Sequence, residues 1–244
     1  MTAPDSRRDQ AGALQLSPWY VLVVAVFITC LITANIMAVK LIEVFGFILP
    51  AAIIIFPISY IVGDVLTEVY GFRHARRTIW LGFFCNLIVV LALAAGQALP
   101  AASFWDGQQS YERILGYAPR LLMASFLAYL VGEFVNSAVL AKMKIATKGR
   151  HLWARTIGST LAGQGLDSAI FITLAFAWTM PGGELGETII TQWLVKSAYE
   201  ALATPLTYGV VGFLKQKEGL DVYDRQTRFN PFSLKAGKNF FQAS

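Results

Sequence analysis

The chain has 244 residues, of which 56% are hydrophobic and only 14% carry a charge. A soluble globular protein is about one quarter charged, so this composition, with a mean hydropathy of +0.55, excludes a disordered chain and an ordinary soluble domain. The net charge of +5 does not indicate a nucleic-acid surface, because the basic residues stand between apolar segments instead of forming one patch. The composition predicts an integral membrane protein.

A transmembrane helix needs about 20 mostly apolar residues. Six stretches of the chain meet this requirement: 19–39, 47–70, 78–99, 119–141, 156–180 and 188–214. They predict an all-α, polytopic fold in which residues 19–214 form one transmembrane domain of six helices. Residues 1–18 precede this domain as a short polar segment, and residues 215–244 follow it as a polar tail.

The distribution of Lys and Arg predicts the orientation of these helices. If the N-terminus lies in the cytoplasm, sixteen of the 20 basic residues fall in cytoplasmic segments and three fall on the opposite side. The remaining one, Lys196, lies within the sixth predicted span. Because positive charge stays on the cytoplasmic side of a membrane, we expect both termini in the cytoplasm.

Ionisable side chains interrupt four of the predicted spans. They are Asp64 and Glu68 in the second span, Glu133 in the fourth, Asp167 in the fifth, and Lys196 and Glu200 in the sixth. Such groups are costly in hydrocarbon and normally face a protein interior or a water-filled cavity. At ~1.5 Å per residue, Asp64 and Glu133 lie about 14 Å from the cytoplasmic boundary, close to the bilayer midplane, whereas Glu68 lies nearer the cytoplasm.

Further polar side chains share helical faces with these carboxylates, because residues three or four positions apart lie on one face. Tyr60 accompanies Asp64, Tyr129 and Asn136 accompany Glu133, and Gln164 accompanies Asp167. The simplest arrangement brings four carboxylate-bearing faces to a central cavity. Alternatively, the polar residues join helices by hydrogen bonds, and Lys196 and Glu200, four positions apart, form a purely structural ion pair. No spacing of His, Cys, Asp and Glu is typical of a metal site.

Two of these faces share a short sequence motif. Tyr60-Ile-Val-Gly63-Asp64 in the second span parallels Tyr129-Leu-Val-Gly132-Glu133 in the fourth, 69 positions later and in the same direction across the membrane. Parallel repeats of this kind occur in membrane transporters. We therefore predict that successive helical hairpins are related and present equivalent carboxylates.

Longer motifs carry a resemblance to a known family. They are Ser59-Tyr-Ile-Val-Gly-Asp-Val-Leu-Thr-Glu-Val-Tyr-Gly71 with the basic segment that follows it to Arg77, Phe134-Val-Asn-Ser137, Gly163-Gln-Gly-Leu-Asp-Ser168, and Tyr223-Asp-Arg-Gln-Thr-Arg-Phe-Asn-Pro-Phe232. In this order, and over nearly all of residues 20–233, the chain resembles the bacterial queuosine precursor transporter family, within the broader vitamin-uptake-transporter-like group.

The resemblance implies a six-span importer in the bacterial inner membrane, and not an enzyme. Its substrates would be 7-deazaguanine bases, the cyano and aminomethyl precursors of the tRNA nucleoside queuosine, with no cofactor and no nucleic acid bound directly. The preferred base stays open, and so does the energy source, since proton coupling and facilitated diffusion with cytoplasmic trapping both fit. Small residues such as Gly209 and Gly212 are compatible with a homodimer and equally with close packing inside one protomer.

The chemistry of such a base indicates which side chains would bind it. A deazaguanine presents an N1–H and an exocyclic amine on one edge, which one carboxylate accepts side by side, and its flat ring stacks on aromatic groups. The cationic aminomethyl form would attract a second carboxylate. We therefore predict Asp64 and Glu133 as principal ligands, Asp167 and Gln164 at the remaining polar edge, and Tyr60, Tyr129, Asn136 and Phe171 as supporting contacts. The gating or proton-coupling candidates are Glu68, Lys196 and Glu200.

Two other classes of protein fit parts of the pattern. A substrate-capture subunit that needs a separate ATPase would also be a compact six-helix protein with a midplane site, and this chain lacks a nucleotide-binding loop of its own. An intramembrane aspartyl enzyme would use Asp64 and Asp167 as a dyad that shares a proton. The further acidic residues in the spans argue against the enzyme.

Overall fold

A computed structural model of the chain describes residues 17–38, 40–44, 47–116, 119–177, 181–225 and 227–232. Seven α-helices lie in this part of the chain: α1 (Pro18–Met37), α2 (Phe56–Tyr70), α3 (Phe72–Ala98), α4 (Gln108–Leu115), α5 (Pro119–Ala146), α6 (Leu152–Phe176) and α7 (Gly182–Glu218). The predicted helical architecture is confirmed. The predicted N-terminal segment and the end of the predicted tail lie almost wholly outside the described residues.

Among the described residues, three helices are long and apolar enough to cross a membrane. They are Pro18–Met37, Phe72–Ala98, and the part of α5 from Met123 to Ala146. Their outer faces expose apolar side chains such as Leu22, Ile88 and Leu91. A helix satisfies its own backbone hydrogen bonds and can therefore lie in lipid with an apolar surface, so these helices identify the chain as a membrane protein.

The first part of the second predicted span is not helical. The strands β1 (Leu41–Val44) and β2 (Phe47–Pro50) form an antiparallel hairpin, a 3-10 turn follows at Ala51–Ile54, and α2 then runs for only 15 residues. The hairpin sequence is rich in Ile, Val and Phe, which favour strands. An α-helix of this length measures about 22 Å, less than the ~30 Å hydrocarbon core of a bilayer.

The short helix α2 lies at the centre of the bundle. It packs against α1, α3, α5 and α7, and every residue from Gly63 to Phe72 is buried. Polar side chains on α2 are therefore enclosed by protein and not by lipid.

The helices α5 and α6 form the most extensive helix pair. A Cβ atom on Gly163 would lie 2.8 Å from the carbonyl oxygen of Gly132, so this crossing needs glycine. Small residues allow such close approach in membrane bundles. The contact brings the polar faces of α5 and α6 together.

Candidate ligand site between four helices

The structure brings together the four carboxyl groups that the sequence places in separate spans. Asp64 on α2 interacts electrostatically with Glu200 on α7, and Glu133 on α5 interacts with Asp64 and with Asp167 on α6. Glu200 interacts in turn with Glu133. We call these four residues the carboxylate cluster. Four helices therefore converge on one polar site inside an apolar bundle.

Asp64 is fully buried and oriented by a neighbouring amide. Its Oδ1 accepts a hydrogen bond of 2.9 Å from Nδ2 of Asn136 on α5. Its Oδ2 is buried and has no hydrogen-bond partner among the described residues. Asn136 thus orients the Asp64 carboxylate, and one carboxylate oxygen is left to receive a donor. The predicted contact of Asn136 with a ligand stays a prediction.

Glu133 occupies space that a glycine provides. Its Oε1 is buried without a hydrogen-bond partner in the described part of the chain. A Cβ atom on Gly63 of α2 would lie 2.5 Å from this oxygen, closer than any such contact permits. Gly63 therefore allows the Glu133 carboxylate to lie directly against α2, next to Asp64.

Glu200 and Asp167 have opposite surroundings. Both oxygens of Glu200 are buried and lack a hydrogen-bond partner within the described ranges, so the alternative of a structural Lys196–Glu200 pair is wrong. Lys196 instead donates to Oδ2 of Asp167 at 2.6 Å, and both side chains are about one fifth exposed, each at 19%. Asp167 therefore has a cationic partner inside the protein, whereas Glu200 has none among the described residues.

The aromatic and amide residues predicted for the site connect the helices. Tyr60 donates to Oε1 of Gln164 at 3.1 Å and so joins α2 to α6. Tyr129 donates to the carbonyl oxygen of Ile79 at 3.1 Å, which joins α5 to α3. Phe171 lies one turn from Asp167 along α6, half-buried, with its ring edge-on to that of Phe176.

Glu68 interacts electrostatically with Asp64 but belongs to a second group of charges, one turn further along α2. Its Oε1 lies 2.8 Å from Arg155, 2.8 Å from Lys215 and 3.5 Å from Lys144. Lys144 and Lys215 also contact Asp221, at 2.7 and 2.8 Å. We call these five residues the Glu68 ion cluster. In the sequence, the three cations indicate only the orientation of the helices, since their spacing along the chain does not show that they meet.

The members of the Glu68 ion cluster differ greatly in exposure. Glu68, Lys144 and Arg155 have side chains only 1–2% exposed, whereas Asp221 is 46% exposed. Partial burial opposes ionisation of Asp221, but hydrogen bonds from Lys144 and Lys215 outweigh it and hold the pKa of that carboxyl below its ordinary value. Asp221 is therefore ionised and forms the solvent side of the cluster.

Neither a metal site nor a catalytic dyad is formed by these groups. Within the described ranges, no group of three or more His, Cys, Asp and Glu side chains could hold a metal ion. Asp64 is bonded to Asn136, and Asp167 is bonded to Lys196. The two aspartates predicted as an enzymatic alternative therefore have separate partners and do not share a proton.

An apolar helical bundle that encloses unpaired carboxyl groups is typical of a membrane transport protein. Residues 50–210 match the family described as "Putative vitamin uptake transporter", and the chain belongs to this family. It is a transporter and not an enzyme.

Relatives of known name are consistent with this family. The chain is 29% identical over 188 residues to a protein of Bacillus subtilis named "Probable queuosine precursor transporter", covering 77% of this chain and 82% of the relative. It is 24% identical over 147 residues to the "Queuosine precursor transporter" of Escherichia coli, covering 60% of this chain and 63% of the relative. These matches confirm the resemblance found in the motifs. No solved structure matches the chain.

Proposed function

We propose that the chain imports queuosine precursors across the bacterial inner membrane by alternating access around the carboxylate cluster. The names of the relatives support the substrate class. The observation that carries the proposal is the convergence of buried carboxyl groups with unpaired oxygens on three helices, α2, α5 and α7. Buried polar atoms without partners are rare in proteins and call for an explanation, such as a ligand that completes them.

The proposed topology has six crossings and both termini in the cytoplasm. The hairpin and α2 together would form the second crossing, and α1, α3, α5, α6 and α7 the other five. The excess of Lys and Arg at one end of the bundle supports this orientation. In this topology the transmembrane domain comprises residues 19–214, with short cytoplasmic segments on either side of it.

The unpaired oxygens suit a ligand rich in hydrogen-bond donors. Asp64 contributes Oδ2, Glu133 contributes Oε1, and Glu200 contributes both of its oxygens. A deazaguanine offers an N1–H, an exocyclic amine and a pyrrole N–H around one flat ring. We propose Asp64 and Glu133 as the principal ligands, with Glu200 as a third. The residues proposed to line the rest of the site are Tyr60, Tyr129, Asn136, Gln164, Asp167 and Phe171.

A test of this site measures queuosine in tRNA. Cells that cannot synthesise the precursor would have this chain as their only importer and would be fed a cyano or aminomethyl deazaguanine. We expect Asp64→Asn and Glu133→Gln to lower uptake roughly 10- to 100-fold, because a hydrogen bond to a charged group contributes about 1.5–3 kcal/mol. Asp106→Asn changes an exposed acidic residue outside the helices and should leave uptake unchanged. Normal uptake by Asp64→Asn at equal membrane abundance would refute the assignment.

The charge of the site predicts which precursor binds more tightly. Asp167 is paired with Lys196, whereas Asp64, Glu133 and Glu200 have no cation in salt-bridge contact in the described residues. A cationic ligand therefore gains charge-assisted hydrogen bonds that a neutral one lacks. We expect purified protein to bind the aminomethyl form more tightly than the cyano form, and Glu200→Gln to reduce that difference. Equal affinities for the two forms would contradict this preference.

Reconstitution into liposomes separates an importer from a substrate-capture subunit. Purified chain that accumulates or equilibrates the base without a partner acts as a transporter on its own. An imposed pH gradient that changes the initial rate would indicate proton coupling, in which Glu200, Glu68 and Lys196 are the candidate groups. Binding without any uptake would favour the capture subunit.

A further inference from the structure

The segment after α7 folds back onto the helical bundle. We call residues 219–225 and 227–232 the tail strap. Asp224 lies at the first turn of α3, where its Oδ2 accepts a hydrogen bond of 2.8 Å from the backbone N–H of Phe72. Val222 donates its backbone N–H to the carbonyl oxygen of Val69 at 3.5 Å. Gly71 lies between α2 and α3, and a Cβ atom at this position would lie 2.7 Å from the Val222 side chain.

Further along the strap, side chains of α3 bind its backbone. Arg76 donates to the carbonyl oxygens of Arg228 and Asn230 at 3.1 and 2.9 Å. The indole N–H of Trp80 donates to the carbonyl oxygen of Pro231 at 2.9 Å. The strap therefore follows α3 for more than two turns, held at each turn by a polar contact.

Aromatic residues of the strap contact a second helix and the loop after it. The Nζ atom of Lys144 lies 4.8 Å from the centre of the Tyr223 ring, and that of Lys142 lies 5.3 Å from the centre of the Phe229 ring. The hydroxyl of Tyr223 lies so close to Gly149 that a Cβ atom there would collide with it. The strap thus joins α3 to α5 and to the turn that leads into α6.

The strap also supplies one member of the Glu68 ion cluster, Asp221. The other members come from the four helices that form the ligand site: Glu68 from α2, Lys144 from α5, Arg155 from α6 and Lys215 from α7. Glu68 lies one turn along α2 from Asp64. The ion cluster therefore ties together, beyond the ligand site, the same helices that enclose it.

We propose that the tail strap is a latch that holds the cytoplasmic side of the ligand site closed. Asp221 is the residue that couples the strap to the Glu68 ion cluster. This inference rests on the proposed function. While the strap is bound, three cations and two carboxylates meet in the Glu68 ion cluster. When the strap detaches, Asp221 goes with it and the three cations have Glu68 as their only carboxylate in the cluster. Repulsion among them then favours separation of α5, α6 and α7. Release of the base to the cytoplasm requires the strap to detach.

A reversible cross-link tests the latch. In a chain with Cys30→Ala and Cys85→Ala, the pair Val69→Cys and Val222→Cys places two thiols on backbones that a hydrogen bond of 3.5 Å joins, and loss of free thiols checks that the disulfide forms. We expect oxidation to reduce uptake into proteoliposomes to the background of empty vesicles, and reduction to restore it. Each single-cysteine chain, treated with the same oxidant, should transport normally.

The outcomes separate the latch from the proposed function. Uptake that survives the disulfide overturns the latch alone, because the strap is then held on α2 during transport. Absence of uptake in the reduced pair and in the unsubstituted chain alike overturns the proposed function and the latch with it.

A second variant covers the case in which the cysteine pair fails to fold. Asp221→Asn should speed the reaction of a water-soluble maleimide with Val222→Cys roughly two- to fivefold, the range of a partly exposed ion pair. Lys217→Gln removes an exposed charge near the end of α7 outside the ion cluster and should not change the rate. Equal labelling rates in the two variants would overturn the coupling of Asp221 to the strap.

Discussion

Single residues set the position of each carboxyl group in the site. Asn136 orients Asp64, Lys196 neutralises Asp167, and Gly63 leaves room for Glu133. The presence of acidic side chains inside four apolar spans predicts that these carboxylates meet in the interior of the bundle. Which carboxylate is paired depends on the rotation of neighbouring helices, so sequence reasoning grouped Asp167 with the ligands and Glu200 with the gating residues.

Gly63→Ala tests the close contact with Glu133. The added methyl group would displace the Glu133 carboxylate, which is the far end of a flexible side chain, so we expect little change in stability but a shift of this ligand group. We expect weaker binding of the deazaguanine, measured with purified protein, at unchanged membrane abundance. Gly209→Ala is the matched control, because no atom lies within 4 Å of a Cβ at that position. Unchanged affinity in Gly63→Ala would show that Glu133 does not need its present position.

At the scale of helices, one contact recurs between neighbours in the bundle. Gly63 of α2 lies against Glu133 of α5, and Gly132 of α5 lies against Asp167 of α6. In both cases the glycine directly precedes a carboxylate residue of its own helix. The recurrence agrees with the repeat hypothesis, which stays a prediction until α1 and α2 are superposed on α3 and α5.

The start of α3 depends on a residue far away in the chain. Gly71 offers no side chain to cap the helix, and Asp224 of the strap takes that role. We expect Asp224→Ala to lower the free energy of unfolding by about 0.5–2 kcal/mol, the range for loss of an N-cap. Thermal unfolding in detergent measures this change. Asp224→Asn keeps an acceptor oxygen and should lose less; an equal loss would argue that the charge and not the hydrogen bond matters.

For the whole molecule, the orientation in the membrane is the property to test. In a chain without its native cysteines, Asp106→Cys and Lys217→Cys place single thiols at exposed positions, the first in the segment after α3 and the second in the last turn of α7. We expect a membrane-impermeant maleimide added to intact cells to label position 106 but not 217, and to label both after the membrane is opened. Labelling of position 217 in intact cells would contradict the cytoplasmic C-terminus.

Hydropathy and charge, read along the chain, determined the class of this protein, its predominantly helical fold and the list of acidic residues inside its apolar segments. These properties follow from local composition, because the summed hydropathy of a window of about 19 residues identifies an apolar segment and the position of Lys and Arg beside it indicates orientation. The hairpin at residues 41–50, the strap on α3 and the Glu68 ion cluster were decided only by tertiary structure. The strap and the ion cluster join residues far apart in the chain, because their contacts arise from the packing of separate helices. The hairpin instead interrupts an apolar segment in which hydropathy alone does not distinguish a strand from a helix.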